Sequence, residues 1–322
     1  MRFVVYGAGA IGGVVGARLH QSGYEVLLIA RGAHHDAIAA RGLTLETPEE
    51  RVKLEIPVAP DPAHAAIEPG DVVLLTMKGQ DTADALDALR AAGGSGVPVV
   101  CMQNGVENER VALRRFPRVY GAVVMSPTSL LEPGVVQAYA TKLTGSIDVG
   151  CYPAGTDDTC EQVCAALSSS GYDSTPREDI MRYKHEKLLL NLGNAAQAVC
   201  GNDADTSELV GRARDEGREV LRAAGIEFEV ADVEDMGGRW ERWGVGEIDG
   251  RPRGGGSTWQ SVVRGTGRIE VDYLNGEIVM RGRQLGIPTP VNELLAQLAW
   301  QTVLEGRQPG WLTPSQVLDR LL

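Results

Sequence analysis

Residues 4–13 read Val-Val-Tyr-Gly-Ala-Gly-Ala-Ile-Gly-Gly, and the rest of the first half of the chain can be interpreted from them. Arg2 to Tyr6 has the composition of a short buried strand. Ala10 to Gln21 continues with helical character, and a second apolar strand, Glu25 to Ala30, follows. The order strand, glycine turn, helix, strand predicts the first βαβ unit of a doubly wound α/β sheet.

Three glycines in this turn have the G-x-G-x-x-G spacing, and each has a separate physical reason. Gly7 permits a tight turn, Gly9 lets backbone N–H groups approach a pyrophosphate, and Gly12 lets the helix pack close to the strand. The helix N-terminus offers unpaired donors and a positive dipole end to an anion. The sequence therefore predicts a dinucleotide site formed by the whole turn: Gly7, Ala8, Gly9, Ala10, Ile11 and Gly12.

The length and composition of the chain exclude several classes of protein. The chain has 322 residues, enough for two domains, and a formal charge of −12 from 31 basic and 43 acidic residues. No broad basic surface is therefore available for nucleic acid or an anionic membrane. No stretch approaches the roughly 18 apolar residues of a membrane span. The five cysteines are odd in number and lack paired zinc spacing, so we expect reduced thiols in a cytoplasmic protein and no metal site.

Arg31 follows directly on the second predicted strand. NAD-preferring folds carry an acidic residue here, which binds the ribose 2′-hydroxyl, whereas an arginine suits a 2′-phosphate. The sequence therefore favours NADP(H) over NAD(H), and Asp36 nearby keeps the second alternative open. His34 and His35 are interpreted as solvated loop residues.

Two further polar residues follow predicted strands. Lys78 comes just after the strand Asp71 to Thr76, and Asn104 just after the strand Val97 to Met102. Ligands of open α/β sheets bind at the carboxyl ends of the strands. Lys78 and Asn104 are therefore expected at the same edge as the glycine turn. We also expect a β-hairpin at residues 42–57 inserted in the wound sheet.

The character of the chain changes near Pro176, after further short strands and a helix at 157–169. The remainder is predicted to be helical, at roughly 178–200, 205–224, 228–242, 257–264, 268–285 and 291–305. The fold class is therefore α/β: an N-terminal Rossmann-type domain, residues 1–176, followed by an all-helical domain, residues 177–322. We expect the active site in the cleft between them.

The helix that begins near Glu178 carries a cation and two amides. At 100° per residue, Lys187, Asn191 and Asn194 fall within one narrow stripe. If this stripe is buried, its polar groups need partners, because unpaired burial costs on the order of 1–3 kcal/mol each. A solvent-facing stripe, with Lys184 and Lys187 as surface charges, is the alternative.

A capping-box pattern, Ser257-Thr258-Trp259-Gln260, begins a helix after the glycine run 254–256. Ser257 is expected as its N-cap. Glu270 is expected in the first turn of the helix 268–285, where a carboxylate is commonly stabilised by the helix dipole alone.

Taken in order, these pieces resemble the ketopantoate reductase family over nearly the whole chain. The matching set is Gly7-x-Gly9-x-x-Gly12, Arg31, Lys78, Asn104-Gly105, Lys187-x-x-x-Asn191, Ser257-x-x-Gln260 and Glu270-Val-Asp-Tyr-Leu-Asn-Gly276. The resemblance implies NADPH-dependent reduction of 2-dehydropantoate to (R)-pantoate, in pantothenate synthesis. It also implies that Lys187 is the proton donor and that Glu270 assists near the nicotinamide ribose. Asn104, Asn191 and Ser257 are implied to hold the substrate, with Asn104 also near the cofactor.

Departures from the family pattern cluster on the substrate side. Ala195 stands where the family commonly carries a second asparagine, which Asn194 would have to replace, and Ser261 stands where an aspartate is usual. The segment 236–256, with Trp240 and Trp243, is longer and more aromatic than usual. A reductase of another 2-oxo acid, or an opine-type dehydrogenase, is therefore one alternative. A non-catalytic NADP(H) sensor is another, and a homodimer is left open.

Overall fold

The computed structural model describes residues 1–228 and 242–321, which form two compact units. Residues 1–181 and 242–253 belong to the first, and residues 182–228 and 254–321 to the second. The change in sequence character predicts a boundary after residue 176. The units part instead within the first turn of helix α6 (Ile180–Asn191), and residues 242–253 belong again to the first unit.

The first unit contains an eight-stranded sheet in the order β5-β2-β1-β6-β7-β8-β11-β12. Its strands are β1 (Arg2–Tyr6), β2 (Glu25–Ile29), β5 (Val58–Ala59), β6 (Asp71–Leu75), β7 (Val99–Cys101), β8 (Val119–Met125), β11 (Gly145–Cys151) and β12 (Tyr172–Asp173). The six strands from β5 to β8 are parallel, and β11 is antiparallel to β8. Because β1 lies between β2 and β6, the order reverses beside the glycine turn. The Rossmann-type fold class is confirmed.

The register of the central strands aligns their carboxyl ends. Tyr6 pairs with Ile29 on one side and with Leu75 on the other, and Leu75 pairs with Cys101. Segments that leave β1, β2, β6 and β7 therefore begin at the same edge of the sheet.

A core packs on both faces of this sheet because the side chains of β1 alternate. Phe3 and Val5 belong to one buried cluster and Val4 to the other. The helices of the unit are α1 (Ala10–Gln21), α2 (Gly32–Arg41), α3 (Thr82–Leu89), α4 (Asn108–Leu113) and α5 (Asp158–Ser169). Asp157 caps α5 by accepting the N–H of Cys160 at 2.8 Å. Cys160 and Cys164 are buried, and all five cysteines are free thiols.

A second sheet in this unit was not expected from the sequence. It has the order β4-β3-β10-β9, with strands β3 (Leu43–Glu46), β4 (Arg51–Leu54), β9 (Thr128–Glu132) and β10 (Val135–Ala138). The hairpin β3–β4 is confirmed, but it pairs with β10 rather than joining the wound sheet. Helix α1 lies close to both sheets, because a Cβ added at Gly13 would lie 2.6 Å from Val136 and one at Gly16 would lie 2.6 Å from Leu28.

The second unit is helical in its described residues, as expected. It contains most of α6, then α7 (Gly193–Cys200), α8 (Ser207–Ala223), α9 (Ser257–Val263), α10 (Asn275–Leu285), α11 (Pro290–Leu304) and α12 (Pro314–Leu318). The single helix expected at 178–200 is interrupted at Leu192. The helix expected at 268–285 begins at Asn275 and is preceded by the 3-10 turn Val271–Tyr273. Helix α12 was not foreseen, and most of the piece expected at 228–242 lies outside the described residues.

Residues 242–253 add to the first unit at the loop after β10. Val245 forms a bridge with Ala140, and the carbonyl of Trp243 accepts the N–H of Thr141 at 2.9 Å. The Trp243 side chain is fully buried. Trp243 therefore contributes to packing, and its indole is not a surface that a ligand could contact. Trp240 lies outside the described residues.

Residues 1–228 and 242–321 contain neither a membrane-spanning helix nor a metal-binding cluster. No helix there is both long and apolar enough to cross a membrane. No group of three or more His, Cys, Asp or Glu side chains in those ranges is arranged to hold a metal ion.

Candidate active site

The glycine turn lies at the aligned carboxyl edge, between β1 and α1. Gly7 has φ +102°, and a Cβ there would lie 2.7 Å from the backbone nitrogen of Met77. A Cβ at Gly12 would overlap the Thr76 hydroxyl and lie 2.6 Å from the Gly7 carbonyl oxygen. The Thr76 hydroxyl donates to that same carbonyl at 2.8 Å. Backbone conformation and close packing therefore require these two glycines.

Gly9 differs, because nothing in the protein requires a glycine there. Its φ of −74° suits any residue, and the nearest atom to an added Cβ is the Gly7 carbonyl oxygen at 3.8 Å. Gly9 is also the N-cap of α1. The open space beside it is what a pyrophosphate at a helix N-terminus needs. The turn therefore fits a dinucleotide.

Arg31 and Lys78 lie at neighbouring strand ends of this edge. Arg31 is the N-cap of α2, and its side chain is 72% exposed. Its guanidinium lies 3.6 Å from the carboxylate of Asp81, which belongs to the 3-10 turn that Lys78 precedes. The structure thus brings both predicted cations to the same end of the parallel strands. An exposed guanidinium at the end of β2 can still accept a phosphate.

Asn104 follows β7 and is held by a buried amide. Asn108 donates through Nδ2 to the Asn104 carbonyl at 3.0 Å, and its Oδ1 accepts from the Thr82 hydroxyl at 2.7 Å. Gln103 donates to the same hydroxyl at 3.2 Å. Because Gly105 has φ +80°, the chain turns sharply directly after Asn104. These bonds place Asn104 at the expected edge and restrict its motion.

His34 is not the solvated loop residue that the sequence analysis expects. It lies in α2 and is half-buried, since its ring joins the glycine turn to the second sheet. Gly134 N–H donates to Nδ1 at 2.9 Å, so Nε2 carries the proton and donates to the Ala8 carbonyl at 2.6 Å. Burial lowers the His34 pKa. The neutral ring of His34 therefore holds the glycine turn in place through its bond to Ala8.

Lys187, the expected proton donor, lies in α6 of the second unit. Its pKa is lowered to about 7, chiefly by burial and to a smaller extent by the positive charge of Lys184. The negative charge of Glu270 raises it and so opposes both effects. Lys184 is itself buried, so the alternative of two surface lysines is wrong for Lys184. A lysine with a pKa near neutrality can both donate and accept a proton.

Glu270 is buried, although it lies outside the helix in which it was expected. It is the N-cap of the 3-10 turn 271–273 and precedes α10 by five residues. Its position therefore does not depend on the dipole of α10. Its negative charge acts on Lys187, so the side chains of Lys187 and Glu270 lie near each other within one unit.

The predicted amides lie on either side of the interruption at Leu192. Asn191 ends α6, and its buried Nδ2 has no hydrogen-bond partner among the residues that the structure describes. Asn194 is the second residue of α7, and a Cβ added at Gly256 would lie 2.8 Å from its Oδ1. Asn194 is therefore close to the residue that precedes Ser257. Ala195 is buried.

Ser257 begins α9 but is not its cap. Gly256 is the N-cap and no side chain caps the helix, so the predicted capping box is wrong. Gly256 has the extended conformation (φ −63°, ψ 177°) that the N-cap position needs, so the helix begins one residue earlier than a Ser257 cap would require. The Ser257 carbonyl instead accepts from the Ser261 hydroxyl at 2.9 Å, at the position where the family usually has an aspartate.

Three residues that contribute to these sites were missed or misread: His34, Lys184 and Gln197. His34 was interpreted as a solvated loop residue, and Lys184 was considered only as a surface charge in the alternative interpretation of its helix. Gln197 follows Asn194 by three residues and so lies on the same helix face, and this spacing was the available signal. Its Oε1 accepts the Gly256 N–H at 3.0 Å. The sequence does not reveal that bond, because the two residues are 59 positions apart.

Comparison with known proteins agrees with this arrangement. Residues 3–154 match the family model described as ketopantoate reductase PanE/ApbA, and residues 179–302 match the model of its C-terminal part. Together these two models cover most of the chain.

Individual proteins show the same likeness. The 2-dehydropantoate 2-reductase of Pyrococcus horikoshii is 28% identical over 303 residues, which cover 92% of this chain and 95% of that protein. The crystal structure of a PanE/ApbA family ketopantoate reductase from Ralstonia eutropha superposes with a TM-score of 0.79 at 29% identity, and the match covers 95% and 99% of the two chains. D-mandelate dehydrogenase with NADH and anilino(oxo)acetate shares the fold, with a TM-score of 0.79, 23% identity and coverage of 95% and 99%. The glycine turn, the lysine and glutamate pair and these matches together show that the chain belongs to the ketopantoate reductase family.

Proposed function

We propose that this protein reduces 2-dehydropantoate to (R)-pantoate with NADPH, a step of pantothenate and coenzyme A biosynthesis, and that Lys187 is the proton donor. Membership of the family makes the chain an oxidoreductase with a nicotinamide dinucleotide cofactor. The observation that carries the finer proposal is the pKa of Lys187 near 7, beside a buried Glu270. The proposal includes a cytoplasmic location, which the five free thiols favour.

The cofactor, when bound, supplies a hydride to the ketone carbon of the substrate. Negative charge then develops on the carbonyl oxygen. The Lys187 ammonium stabilises this charge and transfers a proton to the oxygen, which leaves a neutral amine that solvent reprotonates. Glu270 favours the charged form of Lys187 before transfer, since its carboxylate opposes the effect of burial.

The residues at the carboxyl edge are proposed to hold NADP(H). Gly7 to Gly12 would bind the pyrophosphate, and the exposed guanidinium of Arg31 would bind the 2′-phosphate. Lys78 and Asn104, at neighbouring strand ends, would contact the nicotinamide half. NADH is the alternative, because Asp81 lies 3.6 Å from Arg31 and would disfavour a phosphate there.

The substrate carboxylate needs donors near Lys187. The unpartnered Nδ2 of Asn191, one turn after Lys187 in the same helix, is suited to this task because its burial is otherwise uncompensated. The Ser257 hydroxyl and Asn194 are proposed as the other contacts, and Asn194 stands in for the family asparagine that Ala195 replaces.

The proposal is tested by incubating the purified protein with NADPH and a panel of 2-oxo acids and following the absorbance of the reduced nicotinamide. We expect 2-dehydropantoate to have the highest kcat/KM. Lys187→Ala should lower kcat by about a hundredfold or more, as loss of a positioned acid does, while NADPH still binds. Lys53→Ala, an exposed lysine on β4, is the matched control and should retain full turnover.

The second candidate is a reductase of a different 2-oxo acid, or of an imine as in opine-type enzymes. Ala195 and Ser261, both buried, favour it because they replace polar family residues on the substrate side. The buried indole of Trp243 does not support it. A clear preference of the panel for another 2-oxo acid would select this candidate. Turnover of no substrate, together with tight NADPH binding, would instead favour the sensor.

A further inference from the structure

The glycine run 254–256 in the second unit is enclosed by side chains from two helices. A Cβ added at Gly254 or Gly255 would lie 2.6 or 2.7 Å from the ring system of Trp259 in α9. A Cβ at Gly256 would lie 2.8 Å from Asn194 and 2.9 Å from Gln197, both in α7. None of the three glycines has a positive φ. Close packing on Trp259, rather than backbone conformation, therefore excludes larger residues at Gly254 and Gly255, whereas a larger residue at Gly256 would displace the amides of Asn194 and Gln197.

In addition to packing, two hydrogen bonds hold the glycine run 254–256. Gln197 accepts the Gly256 N–H through Oε1 at 3.0 Å, and Gln260 donates through Nε2 to the Gly255 carbonyl at 3.2 Å. Gln260 is buried and Gln197 is half-buried. The two amides thus bind consecutive residues of the chain immediately before Ser257. A segment that would otherwise be among the most flexible in the protein is held in one conformation.

From this geometry we infer that Gln197 is a positioning residue for Ser257. The inference rests on the proposed function, in which Ser257 binds the substrate carboxylate. The Gln197 acceptor holds the N-cap Gly256, and Gly256 sets where α9 begins. The position of the Ser257 hydroxyl, one residue later, follows from both. Gln197 itself need not contact the substrate.

Removal of this acceptor should affect binding of the 2-oxo acid and little else. Gln197→Met keeps the length of the side chain but cannot accept the Gly256 N–H, and the loss of one such bond is worth about 1 kcal/mol. We expect KM for the 2-oxo acid to rise about fivefold to tenfold. The kcat and the KM for NADPH should stay within about twofold of the parent. The lost contact binds the 2-oxo acid equally in the ground state and the transition state, so its loss changes only the KM for that substrate.

Amide hydrogen exchange of the peptide 254–263 gives a readout that is independent of turnover. Exchange in this peptide should be faster in Gln197→Met than in the parent, and unchanged in Gln301→Met. Gln301 is a matched control, since it bonds Glu305 on the surface of α11, in the same unit.

The outcomes separate the two claims. Unchanged exchange, or equal rises in KM for the 2-oxo acid and for NADPH, would overturn the role of Gln197. Faster exchange together with a selective rise in KM for the 2-oxo acid would support it. A parent protein without turnover on any 2-oxo acid would contradict the proposed function itself, and the positioning role would fall with it.

Discussion

Lys187 is a lysine whose titration is set by two charged neighbours with opposite effects. Its pKa is about 7, lowered by burial and Lys184 and raised by Glu270. Below this pH the ammonium is present and can donate a proton, and above it the neutral amine can only accept one. We therefore expect kcat/KM for reduction to fall above pH 7, by about tenfold per unit. The reverse oxidation should become faster over the same range.

Neighbour variants test the cause of that pKa. Glu270→Gln should move the midpoint of the pH profile to lower pH, because it removes the charge that stabilises the ammonium. Lys184→Met should move it to higher pH, because it removes a repulsive charge. Profiles of both directions of the reaction give the midpoints. Identical midpoints in the parent and both variants would mean that Lys187 is not the titrating group.

Arg31 is the residue that we propose selects between the two nicotinamide cofactors. Its guanidinium is exposed at the end of β2, and one charge-assisted hydrogen bond to a phosphate contributes about 1.5–3 kcal/mol. Arg31→Ala should therefore raise KM for NADPH by about tenfold or more and leave KM for NADH nearly unchanged. Arg41→Ala, at the exposed far end of the same helix, is the control. An unaltered preference in Arg31→Ala would mean that another group binds the 2′-phosphate.

At the scale of the element, two glycines of the same turn have separable roles. A Cβ at Gly12 would meet the Thr76 hydroxyl and the Gly7 carbonyl where α1 packs on β1, whereas a Cβ at Gly9 would meet open space. Gly12→Ala should therefore lower the free energy of unfolding by about 1–3 kcal/mol. Gly9→Ala should leave it nearly unchanged but weaken NADPH binding. Thermal unfolding and a fluorescence titration with NADPH measure the two effects. A loss of stability in Gly9→Ala as large as that in Gly12→Ala would contradict this division.

At the scale of the whole molecule, the order of the chain does not follow the order of the units. Residues 242–253 belong to the first unit, after the chain has already formed three helices of the second. Trp243→Ala should therefore destabilise the first unit by about 3–5 kcal/mol, because a fully buried indole is lost. Trp300→Ala, a half-buried indole of α11, should cost less. Chemical denaturation of both variants provides the comparison. Little or no loss of stability in Trp243→Ala would mean that the 242–253 segment adds little to the stability of the first unit.

Local signals explain why so much of the cofactor half was predictable. The strands β1, β2, β6 and β7 are short, largely apolar runs, and a glycine or a polar residue lies within two positions after the end of each. Such patterns lie within about ten residues of one another along the chain, so periodicity and turn chemistry are sufficient to detect them. The second sheet was missed for the opposite reason. It pairs Leu43–Glu46 with Val135–Ala138, which are about ninety residues apart, and strand pairing at that separation leaves no local signal.

The amino-acid sequence by itself determined the glycine turn that fits a dinucleotide and the division into an α/β half and a helical half. Through the resemblance of the chain to a family, it also singled out Lys187 and Glu270 as the candidate catalytic residues. Only the tertiary structure decided that His34 supports the turn, that Lys184 is buried near Lys187, and that Gln197 holds the residue before Ser257. The physical reason is the separation along the chain of the residues that interact. A turn or an amphipathic face is defined by neighbouring residues, whereas burial of a charge and bonds between distant amides exist only after the chain has packed.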